Sequence, residues 1–188
     1  MERSHGHEVA EAVPRAEGRG SPSDGAIGRT GPTDDLTLVE LRCSAVVARR
    51  EEILLVRHAR EHGSFWVLPG GHPRDGEVAS AAIAREVLEE TGISMEPGRV
   101  LFVMEGLDDQ RSRRILEIVF LATPQHDWPD PNPRADEEAR FFPLGALPAD
   151  LYPPIGGYLR GASRDGFLRT ASYLGNMWRG MNSLGNTR

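Results

Sequence analysis

The chain of 188 residues contains no lysine, so all 22 of its basic residues are arginine. Coding bias is the simplest account, and although arginine is the better fork for a phosphate, no function is attached to the pattern. A lone cysteine, Cys43, excludes an internal disulfide. Its apolar neighbours make it a core residue rather than a nucleophile. No N-terminal apolar run reads as a signal peptide or a membrane span, so a reducing, cytoplasmic setting without a membrane partner is expected. A net charge of −6 argues against nonspecific nucleic-acid binding, which needs a basic surface. Residues 1–35 hold few large apolar side chains and are expected to form a disordered tail. His5 and His7 there have no third ligand at metal spacing and are read as solvated. The remaining length suits one domain that buries a core without staples.

What the chain does have is a column of acids. Glu86, Glu89 and Glu90 stand at i, i+3 and i+4 in a helix expected over Val78 to Thr91. Like charges at this spacing repel, and near a helix C-terminus each costs a further few tenths of a kcal/mol. A divalent cation would turn that cost into binding energy, since a hard ion takes carboxylate oxygens and fills its other positions with water and phosphate. The bland alternative is a solvated acidic face. Ile83, Ala84, Val87 and Leu88 are the expected apolar arc, and Gly92 is the expected left-handed residue that ends the helix. Gly70, Gly71 and Gly76 leave the approach to the helix free of side chains, so that a backbone carbonyl can come close to a metal. Arg85 offers a bidentate fork whose natural carboxylate partner is Glu77, holding loop against helix.

Gly71, Glu77, Arg85-Glu86, Val87, Glu89-Glu90, Gly92 and Ile93 match the pattern G-x5-E-x7-R-E-U-x-E-E-x-G-U, with U a bulky aliphatic residue. From average residue usage, a chance match in a chain of this length is below about one in a million. The segment closely resembles the box of the Nudix hydrolases. FWVLPGG before it and EARFFPL after it also look like family flanks, and the similarity covers roughly residues 38–151. The resemblance implies an α/β protein, a Nudix-type α/β/α sandwich with a mixed β-sheet between helices. It implies Mg2+ or Mn2+ bridging a diphosphate while water attacks phosphorus, splitting a nucleoside diphosphate linked to another moiety, or a nucleoside triphosphate. Carried over by position, Glu86, Glu89 and Glu90 would be metal ligands with the carbonyl of Gly70. Glu86 would also lie near the attacking water, and Glu77 and Arg85 would orient the site. A metal there polarises phosphoryl oxygens and lowers the pKa of bound water.

Hydrophobic alternation predicts a hairpin over residues 36–58, a short strand at Phe65 to Leu68, and strands at Arg99 to Glu105, Arg113 to Ala122 and Glu138 to Leu144. Helices are expected near Gly145 to Leu151 and, after Pro153-Pro154, over residues 155 to about 181. The expected organisation is thus a tail at 1–35, a Nudix domain at 36–152 and a helical extension at 153–188 that packs on it.

Outside the box the readings diverge. Glu138 is a candidate further metal ligand or a solvated acid, with Glu137 as its rival. Arg57, Arg111, Arg113 and Arg114 are candidate phosphate contacts or solvated residues. Phe65 and Trp66 are candidates to stack a base or, for Trp66, to pack in the core. His58 and His62 suit a pocket rim, and His72 an exposed turn. Residues 103–114 carry neither the downstream proline nor the tyrosine that marks some family subclasses, so the small-molecule nucleotide is left unspecified. A homodimer is left open. Two other classes stand beside hydrolysis: a catalytically silent nucleotide-sensing module, and an isoprenoid diphosphate isomerase, for which Cys43 lies too far ahead of the box.

Overall fold

The computed structural model describes residues 39–60, 63–107, 113–126, 129–133, 138–168 and 170–177. The expected tail, His62, Arg111, Glu137 and everything past Met177 lie outside the described residues. Strands run at Val39–Arg49 (β1), Glu52–Arg60 (β2), Gly63–Val67 (β3) and Gly70–Gly71 (β4), followed by a helix at Ala79–Thr91 (α1). Then come Met95–Leu107 (β5), Arg114–Pro124 (β6), Glu138–Pro143 (β7), a helix at Gly156–Ser163 (α2) and Ser172–Asn176 (β8). The strands join in the order β3-β2-β1-β6-β5-β8, with β4 on β1 and β7 on β2. The sheet is mixed: β1 with β6 and β5 with β8 are parallel, and the other pairs are antiparallel.

Period-two alternation sorts the core into two layers. Cys43, Ala45, Val47 and Leu54 pack with Ile83 and Val87 of α1. Val46, Ile53 and Leu55 pack on the other side with Leu159 of α2 and with Ile155, just before that helix. Because both faces are covered, the middle of β1 is continuously buried from Arg42 to Val47. This is the α/β/α sandwich with a mixed sheet that the resemblance implied. Cys43 is wholly buried, and burial pushes its thiol up to about 11, where it is no nucleophile. Among the described residues no helix is long and apolar enough to cross a membrane.

Helix α1 ends as its sequence suggests. Gly92 adopts φ 72° and donates its N–H to Leu88 O at 2.9 Å. A Cβ there would also lie 2.5 Å from Asn132 O. Leu88, however, is 49% exposed and does not belong to the core. At 100° per residue it stands about 180° from the midpoint of Glu86 and Glu90, and that midpoint faces inward beside Ile83.

Three expectations change in the last third of the chain. The helix expected at Gly145 to Leu151 is only a 3-10 turn at Leu144–Ala146. Beyond it the backbone is drawn to the edge of β3, where Trp66 N–H donates to Asp150 O at 3.1 Å and Tyr152 N–H to Trp66 O at 2.7 Å. Among its described residues the extension is helical only over α2, and the stretch around Tyr173 expected to be helix is β8. Gly166 and Phe167 at φ 65° and 61° break the helical path, and the open edge of β5 satisfies the backbone that follows. Strand β5 also begins before Arg99, with register shifts between Pro97 and Phe102 around a proline that lacks an N–H.

Candidate active site

Strand β4 pairs with β1 through Gly70 opposite Ser44 and Gly71 opposite Cys43, bringing the loop before α1 onto the sheet. Both glycines are required by contact. A Cβ on Gly70 would run into the Cys43 carbonyl, and one on Gly71 would lie 2.5 Å from the Glu86 carboxylate. Glu86 therefore rests directly against the strand end. Glu90, 13% exposed at its side chain, accepts the Gly70 N–H at 2.8 Å and meets His58 Nε2 at 3.3 Å.

Arg85 binds Glu77 through the two donors of one guanidinium edge, Nε to Oε1 at 2.9 Å and Nη2 to Oε2 at 2.7 Å. Arg74 N–H adds 2.8 Å to Glu77 Oε2. With the Arg85 hydrogen bond as the largest cause, Glu77 is held down at about 2. Arg85 is pushed up in turn, first by that bond. Its Nη1 also lies 2.7 Å from Glu86 Oε1 and 3.7 Å from Glu89 Oε2. Arg74 Nη2 reaches Glu89 Oε1 at 3.3 Å.

Among the described residues, no three His, Cys, Asp or Glu side chains are grouped as a metal site. Each of the three acids meets a donor, Glu86 that of Arg85, Glu89 those of Arg74 and Arg85, and Glu90 the Gly70 amide. The donor set nevertheless fits a hard dication: it is all carboxylate oxygen on one side of α1, and Glu86 and Glu89 already share one positive charge, the Arg85 guanidinium.

The remaining candidates separate by sheet face. Arg57 is registered opposite both Trp66 and Glu138, whereas His58 is opposite Phe65. His58, which touches Glu90, and Phe65 thus share the face of the acids; Arg57, Trp66 and Glu138 share the other. Glu138 is paired with Arg57 at 3.0 Å and Arg140 at 2.7 Å, and the Arg57 hydrogen bond is the first cause of its lowered pKa. Trp66 is buried against Phe142, rings 4.6 Å apart at 72°. Glu138 thus sits in an ion-pair network with Arg57 on the face away from the acids, and Trp66 belongs to the core, the packing alternative offered for it. Arg113 holds Glu40 by a two-point bridge at 2.6 and 2.7 Å, and Arg114 pairs with Glu105. His72 is exposed, and its carbonyl accepts from Arg85 Nη2 at 3.3 Å.

Two groups escaped the sequence reading. Arg74 sits in the variable spacer and carries no signal of its own. Glu117, 2% exposed, accepts from Ser44 Oγ and lies 3.5 Å from Arg42 Nε, directly behind the Gly70 pairing. An acid at an inward position of the apolar run RILEIVF was its signal.

A cavity of about 560 Å3 is lined by Phe65, Ala149, Asp150, Leu151, Tyr152, Pro154, Asn176 and Met177. Its wall residue Phe65 is 6.1 Å, ring to ring, from His58, the neighbour of Glu90.

The model of the NUDIX domain matches residues 40–160. The chain belongs to the NUDIX family. Over 109 residues it is 34% identical to the human 8-oxo-dGDP phosphatase NUDT18, covering 56% of this chain and 32% of that protein. It is likewise 34% identical over 82 residues to the human diphosphoinositol polyphosphate phosphohydrolase 3-beta, covering 44% of this chain and 49% of the relative. The chain therefore spans between a third and a half of the length of these curated relatives. Among solved structures it is similar to a MutT NUDIX hydrolase from Burkholderia pseudomallei, with TM-score 0.55 and 27% identity over 65% of this chain and 95% of that one.

Proposed function

We propose that this NUDIX domain is a divalent-cation-dependent hydrolase that cleaves the phosphoric anhydride of a nucleoside diphosphate derivative or nucleoside triphosphate. The observation that carries this is the placement of Glu86, Glu89 and Glu90 on one side of α1, against a strand end that two glycines keep open. Glu86, Glu89 and Glu90 would hold Mg2+ or Mn2+, with the Gly70 carbonyl beside them. When bound, the cation polarises the phosphoryl oxygens and activates water.

The protein's own residues do the rest. Glu90 ties α1 to β4 through the Gly70 amide, so the helix face and the loop move as one body. Arg85 and Glu77 clamp the loop from the other side. Glu86, in contact with the backbone at Gly71, is placed to take a proton from water as the new phosphorus–oxygen bond forms and the anhydride bond breaks. The leaving phosphate departs with the bridging oxygen. The apolar cavity walled by Phe65, which is linked to Glu90 through His58, receives the organic substituent. It favours a nucleotide, as in the name of the 8-oxo-dGDP phosphatase relative, over a polyphosphorylated polyol, which would require several cations around it.

One observation favours a second reading. Arg85 and Arg74 already neutralise two of the three acids, as a nucleotide-sensing module without turnover would tolerate. Both readings meet the same experiment: nucleoside di- and triphosphates, oxidised nucleotides and ADP-ribose incubated with Mg2+ or Mn2+, with product mass read out. Metal-dependent release of nucleotide or phosphate that Glu89→Gln lowers at least about a hundredfold, with the melting temperature retained, supports the hydrolase. Binding without turnover supports the sensor.

A further inference from the structure

We infer that Asn176 and Met177, delivered by β8 from beyond the segment that the family model matches, form the wall that selects the organic group of the substrate, a flat, uncharged ring of nucleobase size. The inference rests on the proposed hydrolase reading for where the diphosphate lies.

The family match ends at residue 160, yet the cavity whose wall residue Phe65 stands 6.1 Å from His58, the neighbour of Glu90, is closed by residues 176 and 177. How β8 arrives there is specific. Phe102 is registered with Ser172 and Val103 with Tyr173, but Glu105 pairs with Asn176. Strand β8 thus advances three residues while β5 advances two. The extra residue falls at Gly175, which adopts φ 72°. A bulge of this kind interrupts the alternation and re-aims the side chains that follow it. Tyr173, before it, is 64% exposed; Asn176 and Met177, after it, line the cavity.

The strand end is then held in place. Met177 N–H donates to Glu105 O at 2.9 Å, Leu107 N–H donates to Asn176 Oδ1 at 3.4 Å, and Tyr173 Oη donates to Glu105 Oε1 at 2.8 Å. Arg114 secures the other oxygen of Glu105 at 2.5 Å. One acid thereby fixes strand and wall together.

The lining chemistry narrows the ligand. Phe65 and Tyr152 meet edge to face, 5.7 Å apart at 70°, and the Met177 thioether is a polarisable surface that suits an aromatic face. Burial pushes the Tyr152 phenol up to about 12, so it is neutral at physiological pH. No arginine is among the described residues that line the cavity, and its one acid is Asp150. Such a lining repels a polyanion and accepts a neutral heterocycle, with the Asn176 amide at its edge. The volume lies within the range of small-molecule pockets.

The test uses the full chain and steady-state kinetics on nucleoside diphosphates and on methyl diphosphate, which has the anhydride and no base. For Met177→Ala, kcat/KM on the nucleotide relative to methyl diphosphate is expected to fall about tenfold or more, mainly through KM. Asn176→Ala is expected to change the preference among bases, and Met177→Leu to restore most of the loss. Unchanged ratios in Met177→Ala and Asn176→Ala, or equal losses on both substrates, would overturn the inference, as would a polyphosphorylated cyclitol as the preferred substrate. Should the wild type hydrolyse no nucleotide, calorimetry with a methylene-bridged nucleoside diphosphate decides. Binding that weakens tenfold in Met177→Ala upholds the wall and ends the hydrolase reading. No binding by the wild type ends both.

Discussion

Arg57 and His58 are neighbours in sequence, and the sheet sends them to different tasks. His58 turns toward α1 and meets Glu90. Arg57 turns away and joins Glu138 in an ion pair, on the face that carries Trp66. One face holds acids and a glycine-lined strand end; the other holds an arginine–glutamate network over a packed indole. A one-residue offset in a strand thus separates what composition alone would group as charged residues near a site.

The sharpest way to break this comparison is to neutralise one acid on each face. Glu90→Gln is expected to lower metal-dependent turnover at least about a hundredfold, while Glu138→Gln stays within about threefold, because an exposed ion pair contributes little. Comparable losses in kcat for both variants would show that Glu138 reaches the chemistry. A smaller effect is expected at the strand end. Gly71→Ala places a methyl against the Glu86 carboxylate, and displacing that side chain should cost about tenfold or more in kcat. Gly76→Ala, at φ 76° with open space around its Cβ position, tests loop conformation instead, and should change stability by about 1 kcal/mol.

The smallest effect concerns the clamp. Glu77 has its pKa lowered from 4.5 to about 2 in the folded protein. A depressed carboxylate pKa contributes stability that is fully present above the unfolded value and is lost as pH falls through the folded one. The difference in melting temperature between wild type and Glu77→Gln should therefore be constant above about pH 5 and shrink between about pH 4.5 and pH 2. A difference that grows on acidification would contradict the clamp.

The parts of the site that could be read without coordinates are those whose partners are close in sequence. The acids of α1, the Glu77 to Arg85 spacing and the Gly92 terminus are all set within one turn or one loop. The face taken by Arg57, Trp66 and Glu138 was not legible, because period two states which residues share a face, not which face meets the helix. The face is chosen by pairing with strands up to 81 residues away, as in Arg57 with Glu138. Leu88 misled for a related reason: it lies about 40° from Ala84 on the helix, yet the surface of α1 that meets the sheet is centred elsewhere. Glu117 was hidden in an apolar strand, where only contact with Ser44 and Arg42 gives a buried acid its partners.

By itself the sequence determined the chemistry on offer, a column of carboxylates beside a loop that only glycine can line, because helical spacing and close backbone approach are local constraints. Tertiary structure alone decided where that chemistry points and what lies next to it. Residues 172–176 became a strand because β5 had an edge to satisfy, and the bulge at Gly175 turned Asn176 and Met177 into a cavity wall. Such outcomes depend on hydrogen-bond partners far along the chain, which no local pattern of side chains records.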